Sequence, residues 1–219
     1  MGVCVSQEGV RSSRENTVVA PTHVDLLALG GKNPIFMQKE TPRLTVNERR
    51  LVAQTWPDDP DALYSMGTSI FSLIFTFAPD SHKLFPFLAT GEENWRQNPI
   101  FERQSLRVVQ VLCEAVKHLD RMEVVDPMLV AVGRAHGIYA KRGFRAYHWT
   151  VFQNAIQQSV IKEITTAKEC TLSDEEKREL CAIWDRVALY IIAKLYEGFE
   201  SALAPTRNSL PEASQSPNA

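Results

Sequence analysis

The sequence predicts an all-α protein, and three observations carry that expectation. Two Ser/Thr-x-x-Glu boxes, Thr45 to Glu48 and Ser173 to Glu176, stand directly before apolar runs. There a hydroxyl and a carboxylate reciprocally satisfy the free N–H groups of a first helical turn. Two Asx-Pro pairs, Asn98-Pro99 and Asp126-Pro127, supply a cap and then a proline whose missing N–H costs nothing at that position. Between these starts apolar residues recur at steps of three and four, and no stretch alternates apolar and polar as a half-buried strand does.

Taken in order, the first helix opens at the Thr45 box and ends near Trp56. A second runs from about Asp61 to Phe77 and stops at Pro79, which cannot continue it. The third starts at Asn98-Pro99 and reaches about Leu119; a short one starts at Asp126-Pro127 and ends near His136-Gly137. A long run covers Ala146 to Thr166, and the Ser173 box opens a final helix to about Leu203. Short and long helices are mixed, unlike an up-down bundle of equal lengths.

The flanks read differently. Residues 1–43 hold Gly30-Gly31, Asn33-Pro34 and Thr41-Pro42 with no sustained period, so an irregular extension is expected, with one short helical turn around Asp25 to Leu29. Residues 205–219 hold three prolines, three serines and two asparagines, the composition of a disordered tail. The expected organisation is an extension over 1–43, a helical domain over 44–204 and a tail over 205–219.

A net charge of -2 gives no bulk attraction to nucleic acid, so no nucleic-acid partner is expected. The longest apolar run, Val187 to Ala193, is far short of the roughly 18 residues of a membrane span. No charged-then-apolar signal sequence opens the chain, which favours the cytoplasm. Cys4, Cys113, Cys170 and Cys181 show neither CxxC pairing nor zinc spacing and read as reduced thiols.

Two helices carry one polar residue each on an apolar face. On the third, Phe101, Val108, Val111, Leu112, Ala115 and Leu119 share a stripe that also holds Gln104. On the short helix, Leu129, Val132, Gly133 and His136 share a stripe on which His136 alone can titrate. A buried amide left unpaired costs about 1–3 kcal/mol, so Gln104 needs a partner. Imidazole is the commonest metal ligand through its neutral ring nitrogen. The pattern alone leaves two readings of His136 open, a satisfied core or rim histidine and an iron ligand.

The segment Ala78-Pro79-Asp80-Ser81-His82-Lys83-Leu84-Phe85-Pro86-Phe87 resembles the corner after the second helix of animal globins, where a phenylalanine six residues beyond a proline wedges against haem. Phe101 to Asp120 is similar to the family's distal helix without a gap, including Ala115-Val116 and His118-Leu119-Asp120. Gly133-Arg134-Ala135-His136 with Tyr139 looks like the proximal helix, and Trp56 also fits. The resemblance covers about residues 44–204 and implies a globin fold of about eight helices around haem b, iron protoporphyrin IX.

Carried over residue by residue, the resemblance implies a pocket of Phe71, Phe85, Gln104, Val108 and Leu112 distally, with Val132 and His136 proximally. For Phe71, Leu112 and Val132 ordinary core packing is an equally good reading. His136 Nε2 would hold the iron while its other nitrogen donates to the Val132 carbonyl one turn back. The Gln104 amide would donate to bound gas: oxygen, carbon monoxide or nitric oxide. Many globins carry histidine at this position, and glutamine is a poor iron ligand, so the sixth position is expected to be open. Distal glutamines of this kind occur in nematode globins. His118, fourteen residues on, is about 21 Å further along the same helix.

Met1-Gly2-Val3-Cys4-Val5-Ser6 fits the signal for myristoylation of Gly2. One such chain binds membranes only marginally, and the first sixteen residues, with Glu8, Arg11, Arg14 and Glu15, carry no net charge. Palmitoylation of Cys4 would be the second anchor, placing the protein on the cytoplasmic face of a membrane, the plasma membrane first. An anchor suits sensing, redox signalling or electron transfer rather than bulk oxygen storage. Two other classes stay open: a haem enzyme of peroxidase or nitric oxide dioxygenase type, and a haem-free helical interaction module. No reductase domain and no acid–base pair beside Gln104 accompany the pattern, which ranks the enzyme lower.

Overall fold

The structure, a computed structural model, describes residues 40–85, 95–166 and 171–204. The acylation residues Gly2 and Cys4, the expected turn at Asp25 to Leu29, Cys170 and the tail from 205 lie outside the described residues. Among the described residues six α-helices follow one another: α1 (Val46–Thr55), α2 (Pro60–Phe77), α3 (Pro99–Lys117), α4 (Asp126–Ala135), α5 (Ala146–Thr166) and α6 (Asp174–Leu203). Four 3-10 segments among the described residues join them, at Pro79–Leu84, Trp95–Gln97, Met122–Val125 and His136–Arg142, and the described residues contain no strand. The fold is all-α, its corners built by 3-10 turns.

Helix starts follow from local chemistry. The Thr45 hydroxyl accepts from the Glu48 N–H at 3.2 Å while the Glu48 carboxylate accepts from the Thr45 N–H at 2.7 Å. Ser173 and Glu176 repeat this at 2.8 and 3.2 Å. Asn98 accepts from the Ile100 N–H at 2.8 Å, with Pro99 in the first turn of α3. Asp59-Pro60 is the same device at α2, one residue earlier than the helix predicted from Asp61.

Asp126 departs from its predicted role as a cap. It is the first residue of α4, the cap position falls on Val125, and no side chain caps that end. The carboxylate is engaged elsewhere: it accepts from the Tyr190 hydroxyl and pairs with Lys194 at 2.8 Å, both on α6. Because Met122–Val125 already coils into α4, the chain makes no extended entry at which a cap residue could turn back.

Packing runs through two close crossings and one long spine. A Cβ built on Gly133 of α4 would lie 1.9 Å from the Leu195 carbonyl oxygen, and one on Gly198 of α6 would lie 2.0 Å from that of Val130. Only glycine at both points lets these helices touch backbone to backbone. The α2–α3 crossing is looser, with a Gly67 Cβ 2.8 Å from the Ser105 carbonyl oxygen. The spine is α6, which buries Ile183, Trp184, Val187, Ile191, Leu195 and Phe199 against its neighbours. Trp184 stacks on Trp56 at 5.3 Å, and Arg186 pairs with Glu48, so α1 clamps the far end of α6. Helix α5 fills the middle with Trp149, Ala155, Ile156 and Val160.

Candidate functional site

His136 closes α4, at the residue where the α-helix tightens into a 3-10 turn. Its Nδ1 lies 2.8 Å from the Val132 carbonyl, the partner one turn back that the spacing predicts. A carbonyl only accepts, so Nδ1 carries the proton and Nε2 keeps its lone pair. No hydrogen bond joins Nε2 to another described residue. Burial holds the imidazole below its usual pKa, against the opposing pull of the Val132 bond. The ring is therefore neutral, the form in which histidine binds a metal.

Three aromatic rings fix its direction: Trp149 at 5.3 Å, Phe144 at 5.8 Å and Tyr139 at 5.9 Å between centroids. Phe144 and Trp149 pack edge to face on each other at 5.0 Å and both reach Phe199 of α6. Phe144 reaches this place because the chain reverses at Gly143, whose φ of 99° lies in the left-handed region that favours glycine. Sequence reasoning missed Phe144 and Trp149 as neighbours of the imidazole, and Phe199 behind them. Phe144 sits in a connector without periodicity, and nothing local to the sequence pairs it with His136.

Helix α3 is arranged differently. The fully buried line of α3 runs Phe101, Ser105, Val109, Leu112 and Ala115, because the helix meets α2 through Ser105. This corrects the predicted stripe. Val108 and Val111 stand half-buried beside that line, as does Gln104. The Gln104 amide makes no hydrogen bond to another described residue. His118, at the far end of α3, is turned onto the Glu114 carbonyl at 2.9 Å.

Phe71 and Phe85 come together as edge-to-face partners at 5.5 Å, within a cluster that also holds Phe75, Trp95 and Phe101. Val108 packs on this cluster and on the main core, so it bridges the two. Leu112, 1% exposed, and half-buried Val132 belong to the main core. The predicted residues thus fall into an aromatic corner with Val108, a bare amide on α3, and the His136 group on α4. Helix α3 leans on α2 while α4 leans on α6, and Met122–Val125 connects them.

No group of three or more His, Cys, Asp or Glu able to hold a metal occurs among the described residues. A lone neutral imidazole holds a metal well only when the metal brings its own equatorial ligands, as haem iron does. The neutral imidazole of His136, its Nδ1 bonded to the Val132 carbonyl and its Nε2 unbonded, is a donor that fits haem.

A model of the globin family matches residues 68–188, a span that includes Phe71, Phe85, Gln104 and His136. Among solved structures, the fold is similar to a hexacoordinated haem protein from an anhydrobiotic tardigrade. The TM-score is 0.56 at 21% identity, covering 72% of this chain and 96% of that one.

Proposed function

The chain belongs to the globin family, and on that premise we propose that it binds haem b through His136 and takes oxygen or another diatomic gas on the Gln104 side. The observation that carries this reading is the oriented imidazole, with Nδ1 bound to Val132 and Nε2 unbonded. When bound, the haem iron supplies the position at which a gas is held. Val132 and the rings of Trp149, Phe144 and Tyr139 keep His136 from turning. Phe85 and Val108 keep water away, and the Gln104 NH2 donates a hydrogen bond toward a polarised ligand. The amide is a poor iron ligand and His118 is engaged at the far end of α3, which supports an open sixth position.

The direct test replaces His136 by glycine. Wild-type protein takes up haem stoichiometrically; His136→Gly should lose it and regain the haem absorption band when imidazole is added. Full haem retention by the variant without imidazole would refute the assignment.

The same reading places the protein at a membrane, held by a myristoyl chain on Gly2 and a palmitoyl chain on Cys4, where it acts in sensing, redox signalling or electron transfer. Its support is the Met1-Gly2-Val3-Cys4-Val5-Ser6 sequence. No helix among the described residues is long and apolar enough to cross a membrane. Gly2→Ala should move the protein from the membrane fraction to the supernatant, and unchanged fractionation would remove the anchor.

A further inference from the structure

We infer that the turn following His136, together with the end of α6, is a face that docks on an anionic lipid surface. Four cations lie within twelve residues here, Arg134, Lys141, Arg142 and Arg145, and all are exposed. From Pro127 through Lys162 the chain contains no Asp or Glu. None of the four cations makes an ion pair with a described residue.

The acids that approach from other elements are already engaged. Asp80 accepts from Tyr147 and stands 3.8 Å from His148; Glu197 faces Lys194 at 3.5 Å; Glu200 accepts from Tyr196. Arg145 is held as part of the turn by the Ala140 and Phe144 carbonyls at 2.7 and 3.1 Å, and Arg142 lies over the Tyr139 ring at 5.5 Å.

The second observation is apolar. Ile138 is 68% exposed and Leu203 is 45% exposed. The two segments that carry them adjoin, because a Cβ on Gly137 would lie 2.6 Å from that of Ala202. Exposed aliphatic side chains in and beside a turn that carries unpaired cations match the chemistry of a bilayer boundary: aliphatic groups enter the acyl edge while ammonium and guanidinium groups reach anionic headgroups.

The face deepens the lipid-anchor reading, yet it is measured without lipidation, so either can fail alone. The experiment sediments the full-length, unacylated chain with vesicles of phosphatidylcholine, with and without phosphatidylserine. Binding should require phosphatidylserine and weaken with salt. Lys141→Glu and Arg142→Glu should each lower the partition coefficient about fivefold or more, the effect of removing one near-surface cation. Ile138→Asp should lower it and Ile138→Trp raise it; circular dichroism checks that the helices persist. Equal binding to neutral vesicles, no binding to anionic ones, or partitioning unchanged by the charge reversals would overturn the face. So would capture by an acidic protein without any vesicle affinity, which would assign it to a protein partner.

Discussion

Helices α4 and α3 each present one polar side chain from an apolar face, yet they are held in opposite ways. Helix α4 has ten residues and is locked at three points: Gly133 and Gly198 bring its backbone against α6, Asp126 ties its start to Tyr190 and Lys194, and three rings hem in His136 at its end. Helix α3 has nineteen residues, one looser crossing at Gly67, and an amide bonded to no described residue. The roles proposed for the two side chains give this contrast a reason. A metal–nitrogen bond has one productive direction, so its ligand gains from being fixed beforehand. An amide that donates to a gas loses little by keeping some freedom, and a partner within the protein would compete with the ligand.

The largest expected effect lies on the locked side. Trp149→Ala removes a ring that is 1% exposed and packs against His136, and should cost about 3–5 kcal/mol in urea unfolding. Gly133→Ala should cost about 3 kcal/mol, since its methyl has only the Leu195 backbone to displace. Gly67→Ala should cost less, about 1 kcal/mol, because its approach is looser and alanine favours helix. Equal losses for the two glycines would dissolve the contrast between the crossings. Asp126→Asn should cost about 1–2 kcal/mol and loosen haem retention, which haem transfer to an acceptor protein would read.

On the open side the effect is on ligand rather than stability. Gln104→Leu should leave unfolding within about 0.5 kcal/mol of wild type. It should also speed oxygen release roughly tenfold, the loss of one hydrogen bond of about 1.4 kcal/mol. Flash photolysis of the carbon monoxide form, followed by oxygen rebinding, gives that rate. A large stability loss would mean that the amide is a core partner after all.

The smallest effect belongs to the clamp far from both. Burial pushes the Glu48 carboxyl up, but the Thr45 N–H and hydroxyl and the Arg186 guanidinium together pull it below its usual value. A carboxyl lowered in the fold binds its proton more weakly there than in the unfolded chain. Its contribution is therefore present above about pH 4.5 and fades as pH falls through the lowered value. The stability gap between wild type and Glu48→Gln should narrow on acidification, with haem affinity the same in both.

Helix ends were legible wherever the deciding contact is local. Thr45 with Glu48, Ser173 with Glu176 and Asn98 with Ile100 all lie within three residues of one another. The His136–Val132 bond was readable for the same reason, being one turn long. Asp126 misled because its partners are 64 and 68 residues away on α6. On α3 the expected Phe101, Leu112, Ala115 and Leu119 are buried, but Ser105 takes the inward place expected of Gln104 because Gly67 lets α2 approach it. Phe144 and Trp149 reach the imidazole through a turn whose direction depends on Gly143, and no periodicity announces that.

The central claim, a fixed ligand on one side and an open position on the other, is tested most directly by the absorption spectrum of the haem-loaded protein after dithionite reduction. The account predicts a five-coordinate ferrous haem, with one broad visible band that gives way to the carbon monoxide spectrum without a slow phase. Two sharp visible bands, together with carbon monoxide binding limited by release of an internal ligand, would contradict it.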